Sequence, residues 1–510
     1  MGIHRITTKT QTILPFKLFD FKLFKNDMTS AMFYRHYVSG TNMKENTGNS
    51  LLYTPENTTA TTSTSNPIST STSISNSTTV ISSFPSSSSS SSTCPSPSFP
   101  TYEEYFKTLP KQTLFSLFLI GVCSLNKLTL STATYIFPFI PLSLVRILVS
   151  KLYCGGENMQ EVLQCGQELQ KRGISNMMLS LTIENSEGVK QIENIDQSIV
   201  DPTIESIYKV LKPNLLSQLD SLTDEQNINT IAPGYIALKP SALIENPNDI
   251  LMNYGTHPDS KVLFDRCARI TQVVHDLNQQ LSKIYPSRKS PFFVSTIDAE
   301  KFDWQTKGVY NLQRQLMQKF NRDPLISVAG TWQLYLSDSI KHLTNDALLA
   351  KQNGYRLALK IVRGAYIHSE PNRNSIIFST KESTDNNYDN IMTMVLNDMK
   401  NNGKDSVYGH LVVASHNAES QIKAAVLLDQ LSEDTYVRAN VSLGQLLGMS
   451  DNLAYNLINN YHMHNLIKYV PWGPTKETRD YLLRRLQENG DAVRSDNGWG
   501  LVKKVAKALF

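Results

Sequence analysis

The stretch LISVAGTWQLYLSDSIKHLTNDALLAKQNGYRLALKIVR, residues 325–363, holds one complete strand–helix–strand repeat. An apolar run at 325–331 is followed by apolar residues at helical spacing and then by a second run at 357–362. The helical residues are Leu336, Ile340, Leu343 and Leu348. Gly354, just past the last of them, predicts the end of the helix. Both runs are nearly continuous in apolar residues, which is typical of parallel strands covered on both faces.

The same repeat recurs along the chain from residue 171 onward. The predicted strands are Met177–Ile183, Tyr235–Lys239, Phe292–Asp298, Leu325–Thr331, Leu357–Val362, Leu411–Ser415, Tyr436–Val441 and Leu466–Val470. Helical patterns lie between them; one ends at Gly403, and another follows Asn417, a predicted N-cap. Eight such strands predict an α/β fold, one (βα)8 barrel with extra helices in the first two crossovers. An open doubly wound sheet is the alternative, but the Gly-rich phosphate loops typical of it are missing from the sequence.

Composition excludes several classes of protein. The chain has 510 residues, 40% of them hydrophobic, and a formal net charge of +4. This small basic excess argues against a nucleic-acid binder. Five Cys with no CxxC pair exclude a disulfide scaffold and a Cys-rich zinc module.

The N-terminal part of the chain does not share the repeat. Residues 1–56 are basic and apolar with few acids, which predicts a mitochondrial targeting region. Residues 57–98 carry no charged side chain and are mostly Ser and Thr, which predicts a disordered linker. A helical segment is predicted at 99–170. Its apolar stretches Thr113–Leu125 and Tyr135–Val149 are interpreted as packed helices, with docking on a membrane face as the alternative.

A final helix is predicted after Gly473 and Pro474, with Thr475 as its N-cap. One face of it carries Tyr481, Arg484, Arg485 and Glu488. Two adjacent Arg can hold a carboxylate or phosphate bidentately, while an ordinary solvated face is the alternative. The barrel domain is therefore predicted at 171–490. The amphipathic segment 491–510 is expected to pack on the barrel, with membrane contact as the alternative.

Polar side chains stand where the predicted strands end. They are Lys239, Asp298, Thr331, Gln333, Lys360, Arg363, Ser415, His416 and Tyr469. The carboxyl ends of barrel strands meet at one rim, which is where barrel enzymes have their active sites. A charge in a buried strand must be paired or must face a ligand. Each of these residues alone could form a structural ion pair, but together they predict an anionic ligand at the rim.

Several segments resemble the proline dehydrogenase family. They are KIVRGAY at 360–366, GQLLGM at 444–449, YLLRRLQENG at 481–490, SHN at 415–417 and IDAE at 297–300. The resemblance covers residues 105–510. It implies a distorted (βα)8 TIM barrel that holds FAD, with its final helix over the mouth. The Ser/Thr-rich insertions suggest a fungal member, and the lack of a second domain after residue 510 suggests a monofunctional one.

The resemblance also implies a reaction. L-proline would be oxidised to Δ1-pyrroline-5-carboxylate by hydride transfer from proline C5 to flavin N5, the first step of proline catabolism to glutamate. Electrons would pass to ubiquinone at the matrix side of the mitochondrial inner membrane, and no metal would be needed. Two other functions stay open. One is a Schiff-base lyase or aldolase that uses Lys239 or Lys360, and the other is a catalytically silent, membrane-associated barrel.

The roles of individual residues follow from the same resemblance. The catalytic residues would be Asp298, Lys360, Lys239 and Tyr469. Proline would be held by Lys239, Arg484, Arg485, Tyr366, Leu446, Tyr469 and Tyr481. FAD would be held by Ala299, Gln333, Lys360, Arg363, Gly364, Ala365, Ser415, His416 and Glu488. Bacterial members have Gln at the position aligned with Gly330, so one flavin contact is expected to be missing there.

Overall fold

The computed structural model describes residues 102–182, 194–222, 225–367, 369–431, 435–495 and 498–510. The predicted targeting region, 1–56, and the predicted linker, 57–98, lie outside these residues.

Eight strands close into a barrel in which each strand pairs in parallel with the next and the last pairs with the first. They are β1 Asn176–Leu181, β2 Gly234–Leu238, β3 Phe293–Ile297, β4 Val328–Gln333, β5 Leu357–Val362, β6 Tyr408–Ala414, β7 Val441–Leu446 and β8 Leu466–Trp472. The predicted barrel is confirmed, and the doubly wound sheet is excluded because a closed sheet has no edge strands.

Twenty α-helices surround the barrel or extend it within the described residues. They are α1 Tyr102–Lys107, α2 Lys111–Cys123, α3 Lys127–Ile136, α4 Leu142–Val145, α5 Lys151–Tyr153, α6 Met159–Lys171, α7 Asp201–Ser206, α8 Lys212–Leu219, α9 Pro247–Met252, α10 Ser260–Ile284, α11 Phe302–Trp304, α12 Tyr310–Phe320, α13 Ser339–Asn353, α14 Arg373–Ile376, α15 Lys381–Asn402, α16 Ala418–Asp429, α17 Thr435–Ala439, α18 Asp451–Tyr461, α19 Thr475–Ser495 and α20 Gly498–Leu509. The first two crossovers hold extra helices, α7 and α8 in one and α9 and α10 in the other.

Side chains of the strands alternate between the barrel interior and the helix layer. The main core, between strands and helices, takes the outward residues such as Leu359 and Ile361. A smaller interior cluster contains Met178, Tyr235, Ala358 and other short or slender side chains. The alternation decides which polar residues can meet inside the barrel, because only every second residue of a strand points there.

The N-terminal helices form a separate layer with the two last helices. Tyr481, Leu482 and Leu486 of α19 are buried against residues of α2, α3 and α4. Val502 and Val505 of α20 are also buried, and α20 packs against α1 and α2. The C-terminal helix α20 thus packs on the N-terminal layer, where the sequence predicted packing on the barrel.

No single helix among the described residues has both the length and the apolar character to cross a membrane. Only Lys111–Cys123 together with Lys127–Phe139 would meet that requirement, and the two are bent by 113°.

Seven predicted strands overlap the observed ones with small differences at their ends, and the predicted end Ile183 lies outside the described residues, but the seventh strand is wrong. The run Tyr436–Val441 supplies helix α17 and only the first residue of β7, which continues through Gly444 to Leu446. A short apolar run does not distinguish a buried strand from a buried helix, and a Gly inside a strand hides its continuation. The helix ends at Gly354 and Gly403 are confirmed, as is the N-cap Asn417, whose side chain accepts the Ser420 N–H at 3.0 Å.

Gly448, in the turn after β7, ties the barrel to the N-terminal layer. Its φ is +73°, and a Cβ there would overlap the carbonyl oxygen of Leu152. Gly255 has a similar φ of +94° but open space around it. A side chain at Gly255 would therefore cause backbone strain alone, whereas one at Gly448 would cause backbone strain and a steric overlap.

We expect Gly255→Ala to lower the free energy of unfolding by about 1–2 kcal/mol, because an L side chain is strained in the left-handed region. Gly448→Ala should cost roughly 1–3 kcal/mol more, since the new methyl group also overlaps a backbone atom. Denaturant unfolding of both variants measures this difference. Equal losses would contradict the close approach of Gly448 to Leu152.

Candidate active site

Three predicted residues meet inside the barrel at the carboxyl ends of their strands. Asp298 follows β3, Lys360 lies in β5 and Tyr469 lies in β8. The Lys360 ammonium forms an ion pair with Asp298 Oδ1, and the Tyr469 hydroxyl donates to Asp298 Oδ2 at 2.8 Å. The Lys360 Nζ also lies 5.6 Å from the centroid of the Tyr469 ring. One carboxylate thus organises a lysine and a tyrosine from opposite walls of the barrel.

Burial gives this network its electrostatic character. The side chains of Lys360 and Asp298 are only 7% and 15% exposed. Burial, followed by the negative charge of Asp298, raises the pKa of Tyr469 well above its usual value. The Tyr469 hydroxyl therefore keeps its proton and acts as a donor to the carboxylate.

A second buried carboxylate, Glu300, stands at the end of the IDAE segment. It is 2% exposed and accepts the Ser241 N–H at 3.0 Å and the Tyr366 hydroxyl at 3.2 Å. Burial raises the pKa of Glu300, and the nearby charge of Lys239 acts in the opposite direction. Glu300 thereby links the end of β2, where Lys239 lies, to Tyr366 after β5. Sequence reasoning assigned it no role, although its place next to a strand end was a usable signal.

The loop after β5 is held by hydrogen bonds from β4. The buried Gln333 side chain accepts the Ala365 N–H at 3.1 Å and donates to the Glu300 carbonyl at 2.8 Å. The Tyr366 hydroxyl also donates to the Ala299 carbonyl at 3.2 Å. A Cβ at Gly364 would overlap the ring of Tyr335, so only glycine lets this loop pass so close. Gln333 therefore supports the loop that carries Ala365 and Tyr366.

Arg363 bridges the ends of β5 and β6. Its Nε donates to Asp385 at 2.7 Å, and its other nitrogens donate to the hydroxyls of Ser415 and Ser420. Its guanidinium carbon lies 4.4 Å from the centroid of the Tyr388 ring. Asp385 is a further residue that sequence reasoning missed, because it lies near the start of α15, far along the chain from any strand end.

His416 is a neutral hydrogen-bond donor in this site. Its Nε2 accepts the Leu446 N–H at 3.0 Å, which leaves the proton on Nδ1. Burial, with the charges of Lys468 and Arg485, lowers the pKa of His416 to about 3. The same bond brings Leu446, the last residue of β7, beside the end of β6.

Helix α19 carries the predicted anion-binding face. The Arg485 guanidinium lies 4.9 Å from the centroid of the Tyr481 ring, as the i, i+4 spacing predicts, and Nη1 lies 3.9 Å from Met449 Sδ. Arg484 is exposed and Arg485 is half-buried. Tyr481 lies near enough to Tyr469 to affect its pKa. The side chain of Glu488 lies outside the described part of the structure.

The start of α19 is held by hydrogen bonds to residues far earlier in the chain. The sequence predicted Thr475 as the N-cap of α19, but Thr475 is the first residue of the helix. Its N–H and hydroxyl both donate to Glu157. The Thr475 hydroxyl is the main cause that lowers the pKa of Glu157. Arg479 donates to the carbonyls of Pro138 and Ile140 at 2.9 and 3.0 Å. A carboxylate at a helix N-terminus is favoured by the helix dipole, so Glu157 both caps and places α19.

One sequence interpretation changes with the structure. A Cβ at Gly330 would overlap the Gln313 side chain of α12, so this position faces the helix layer. A side chain here would not point into the barrel, so the alignment that placed a flavin-contacting position at Gly330 was wrong; Gln333 is the interior residue of β4 nearest the rim. No cluster of three or more His, Cys, Asp or Glu suited to a metal ion occurs in the part of the chain that the structure describes.

Most of the chain is similar to proteins described as proline dehydrogenases. Residues 162–497 match the family model described as proline dehydrogenase. The chain is 27% identical over 450 residues to proline dehydrogenase 1, mitochondrial, of Dictyostelium discoideum, across 80% of this chain and 75% of that protein. It is 27% identical over 433 residues to a probable mitochondrial proline dehydrogenase of Schizosaccharomyces pombe, across 76% and 86% of the two chains.

A solved structure shares the fold. The crystal structure of proline utilization A from Bdellovibrio bacteriovorus, inactivated by N-propargylglycine, matches with a TM-score of 0.53 at 17% identity. The match covers 76% of this chain but only 38% of the solved one.

The ion pair inside the barrel yields a stability prediction. Asp298→Ala leaves the Lys360 ammonium buried without a carboxylate and should lower the free energy of unfolding by roughly 3–5 kcal/mol. The exposed pair of Lys261 and Asp265 is a matched control, with side chains 79% and 54% exposed. Asp265→Ala should cost less than about 1 kcal/mol.

Denaturant unfolding measures both variants. The double variant Asp298→Leu with Lys360→Met removes both charges and should recover much of the loss, because the buried charge is then gone. A loss for Asp298→Ala no larger than that for Asp265→Ala would show that Lys360 does not depend on this carboxylate.

Proposed function

This chain belongs to the proline dehydrogenase family, and we propose that it oxidises L-proline to Δ1-pyrroline-5-carboxylate in mitochondria, with FAD as its cofactor and ubiquinone as the electron acceptor. The observation that carries the proposal is the network of Asp298, Lys360 and Tyr469 inside the barrel, with Tyr481 of α19 near Tyr469. Mitochondrial location is supported by the names of the relatives in Dictyostelium discoideum and Schizosaccharomyces pombe.

The residues at the rim suit a flavin nucleotide. Its diphosphate requires cations and N–H donors, which Arg363 and the Nδ1–H of neutral His416 provide. The loop at Gly364 and Ala365 is fixed against Tyr335 and Gln333, so its backbone is preorganised for a ligand. We assign FAD binding to the side of the barrel rim formed by the ends of β5 and β6, with Lys360, Ala299 and Ser415 beside the cofactor. When bound, FAD supplies the acceptor for the hydride that leaves proline C5.

Recognition of proline is assigned to the cations on the other side. Arg484, Arg485 and Lys239 would hold the carboxylate, and guanidinium groups suit it because they donate two parallel hydrogen bonds. Tyr366, Leu446, Tyr469 and Tyr481 would enclose the pyrrolidine ring. Glu300 contributes indirectly, since it positions Tyr366 and lies beside Lys239.

The barrel interior would contribute fixed charges to the reaction. As hydride leaves C5, positive charge would develop on the proline nitrogen. The group that accepts the hydride would gain negative charge. Lys360 places a fixed cation in the interior that offsets the delivered negative charge, and Asp298 keeps that cation in place. Tyr481 of α19 is buried against the N-terminal layer. This packing would keep water from the pyrrolidine ring of bound proline.

A Schiff-base lyase is less well supported. Lys360 is engaged in an ion pair with Asp298, and an ammonium so engaged has no lone pair with which to attack a carbonyl. Trapping with borohydride on Lys239 or Lys360 would favour that reaction instead.

The test of the proposed function is spectroscopic. The purified full-length chain should absorb near 450 nm, which is typical of flavin, and this band should bleach anaerobically with L-proline but not with NADH. D-proline serves as the control for stereospecific binding. Folded protein that holds no flavin and cannot be reconstituted with FAD would refute the proposal.

The anion-binding role of α19 gives a kinetic prediction. Arg484→Lys and Arg485→Lys should each raise the KM for proline while FAD stays bound, because Lys keeps the charge but loses the bidentate geometry. One lost charge-assisted hydrogen bond lowers kcat/KM by roughly ten- to more than a hundredfold.

Arg479→Lys is the matched control on the same helix. It disturbs the anchor to Pro138 and Ile140 and should lower the melting temperature with little change in KM. Unchanged proline kinetics in Arg484→Lys and Arg485→Lys would indicate that this helix face is an ordinary solvated surface.

A further inference from the structure

A buried cluster of charges lies on the outer side of the barrel wall, behind the residues assigned to the ligands. Lys468 of β8 and Asp451 of α18 form its centre, with Lys468 Nζ 2.6 Å from Asp451 Oδ1. Their side chains are only 1% and 13% exposed. Neighbouring residues of a strand face opposite sides, so Lys468 points to the helix layer while Tyr469 points into the barrel. The proposed reaction uses neither member of this pair.

Lys468 joins the pair to the turn between β7 and α18. Besides Asp451, its ammonium donates to Gln445 Oε1 at 2.8 Å and to the carbonyl oxygen of Met449 at 3.1 Å. An ammonium has three donors and no acceptor, so these three bonds satisfy it completely. Lys468 therefore fixes the backbone of the turn at Met449 relative to β8.

Asp451 joins the same turn to the N-terminal part of the chain. Its Oδ2 accepts the Arg172 Nη2–H at 2.9 Å and the Tyr105 hydroxyl at 3.2 Å. Burial acts to raise the pKa of Asp451, but the charges of Lys468 and Arg172 outweigh it and hold the pKa well below its ordinary value. Asp451 is thus a permanent anion that ties α1 and the end of α6 to β8.

The backbone of the turn is strained. Gly448 has a φ of +73°, and Ser450, which is not a glycine, has a φ of +52°. A side chain in the left-handed region costs energy and persists only where its surroundings fix it. Asp451 follows Ser450 directly, and Lys468 binds the carbonyl just before it. The ion pair therefore holds the strained residue from both sides.

The turn contacts the proposed site at two places. The Leu446 N–H donates to His416 Nε2 at 3.0 Å, and Met449 Sδ lies 3.9 Å from Arg485 Nη1. The Met449 N–H donates to the Leu446 carbonyl at 3.2 Å, so the two places are joined by one bond. After burial, the charge of Lys468 is the strongest cause that lowers the pKa of His416.

We propose that Lys468 and Asp451 are positioning residues for recognition of the proline carboxylate. They hold the turn 446–451 in the conformation that places Met449 against Arg485. This inference rests on the proposed function, in which Arg485 binds the carboxylate. Arg485 contacts the Tyr481 ring and Met449. If Met449 moved away, the guanidinium would sample more orientations and would present its two parallel donors for less of the time.

The first test is Asp451→Asn, which keeps the shape of the side chain and removes its charge. The KM for proline should rise about tenfold while kcat stays within about twofold of the wild type, because binding of the carboxylate is weakened and the reacting groups are untouched. FAD should stay bound. Steady-state kinetics of the full-length flavoprotein measures both constants.

Asp346→Asn is the matched control. Asp346 of α13 is also a buried carboxylate, 1% exposed, and its Oδ1 lies 2.6 Å from Nε of Arg314 in α12. Its loss should lower the melting temperature as Asp451→Asn does, because a cation again loses its partner. The KM for proline should stay within about twofold of the wild type, since Asp346 does not touch the turn.

A double variant separates positioning from plain stability. Asp451→Asn with Lys468→Met removes both central charges and should restore much of the melting temperature, because no buried ammonium is left unpaired. It also removes the bond to the Met449 carbonyl, so the KM should stay about tenfold above that of the wild type. A KM that returned to the wild-type value together with the melting temperature would assign the pair a purely structural role and overturn the proposal.

Hydrogen–deuterium exchange separates this inference from the proposed function. In Asp451→Asn, the amides of 446–451 should exchange about tenfold faster than in the wild type, and in Asp346→Asn they should not. A wild type that never oxidises proline would refute the function, yet faster exchange would still show that the pair holds the turn. Exchange in the turn equal to that of the wild type would overturn the inference, and so would an active Asp451→Asn variant with an unchanged KM.

Discussion

A lysine charge inside a closed barrel is the constraint on which the site depends. Lys360 cannot reach the helix layer, because its strand position points inward, so its ammonium must be satisfied within the barrel. Asp298 meets that need and binds the Tyr469 hydroxyl with its second oxygen. The interior therefore holds a polar network specified by hydrogen bonds beside an apolar cluster that includes Met178, Val294 and Ala358. A site with fixed charges follows from one buried ion pair.

Much of the fold could be predicted from hydrophobic periodicity and caps, because each depends on neighbours in the sequence. The run Leu357–Val362 and the helix end at Gly354 are examples. β7 could not be placed, since its Gly444 breaks the apolar pattern and α17 imitates a strand. Gly330 was misread because alternation within a strand has no fixed phase until the barrel is closed.

The individual site residues were predictable as polar residues at strand ends, but their partners were not. That Asp298 binds both Lys360 and Tyr469 depends on β3, β5 and β8 facing one another across the barrel. Asp385 and Glu157 act through other side chains and lie away from strand ends, so no local pattern marks them, whereas Glu300 is marked only by its place next to a strand end. The resemblance named the residues expected to take part in the reaction, and the three-dimensional contacts added the carboxylates that hold several of them.

The cap of α19 has a consequence for how the protein reaches its native state. Thr475 finds its acceptor, Glu157, 318 positions earlier in the chain, and β8 closes the sheet only by pairing with β1. Contacts so distant in sequence form late, because the entropy of closing the intervening loop must be overcome first. A chain emerging from a ribosome or a translocation pore has no complete substrate pocket until almost its last residue is delivered. Until then the apolar strands of the unfinished barrel remain without their closing partner.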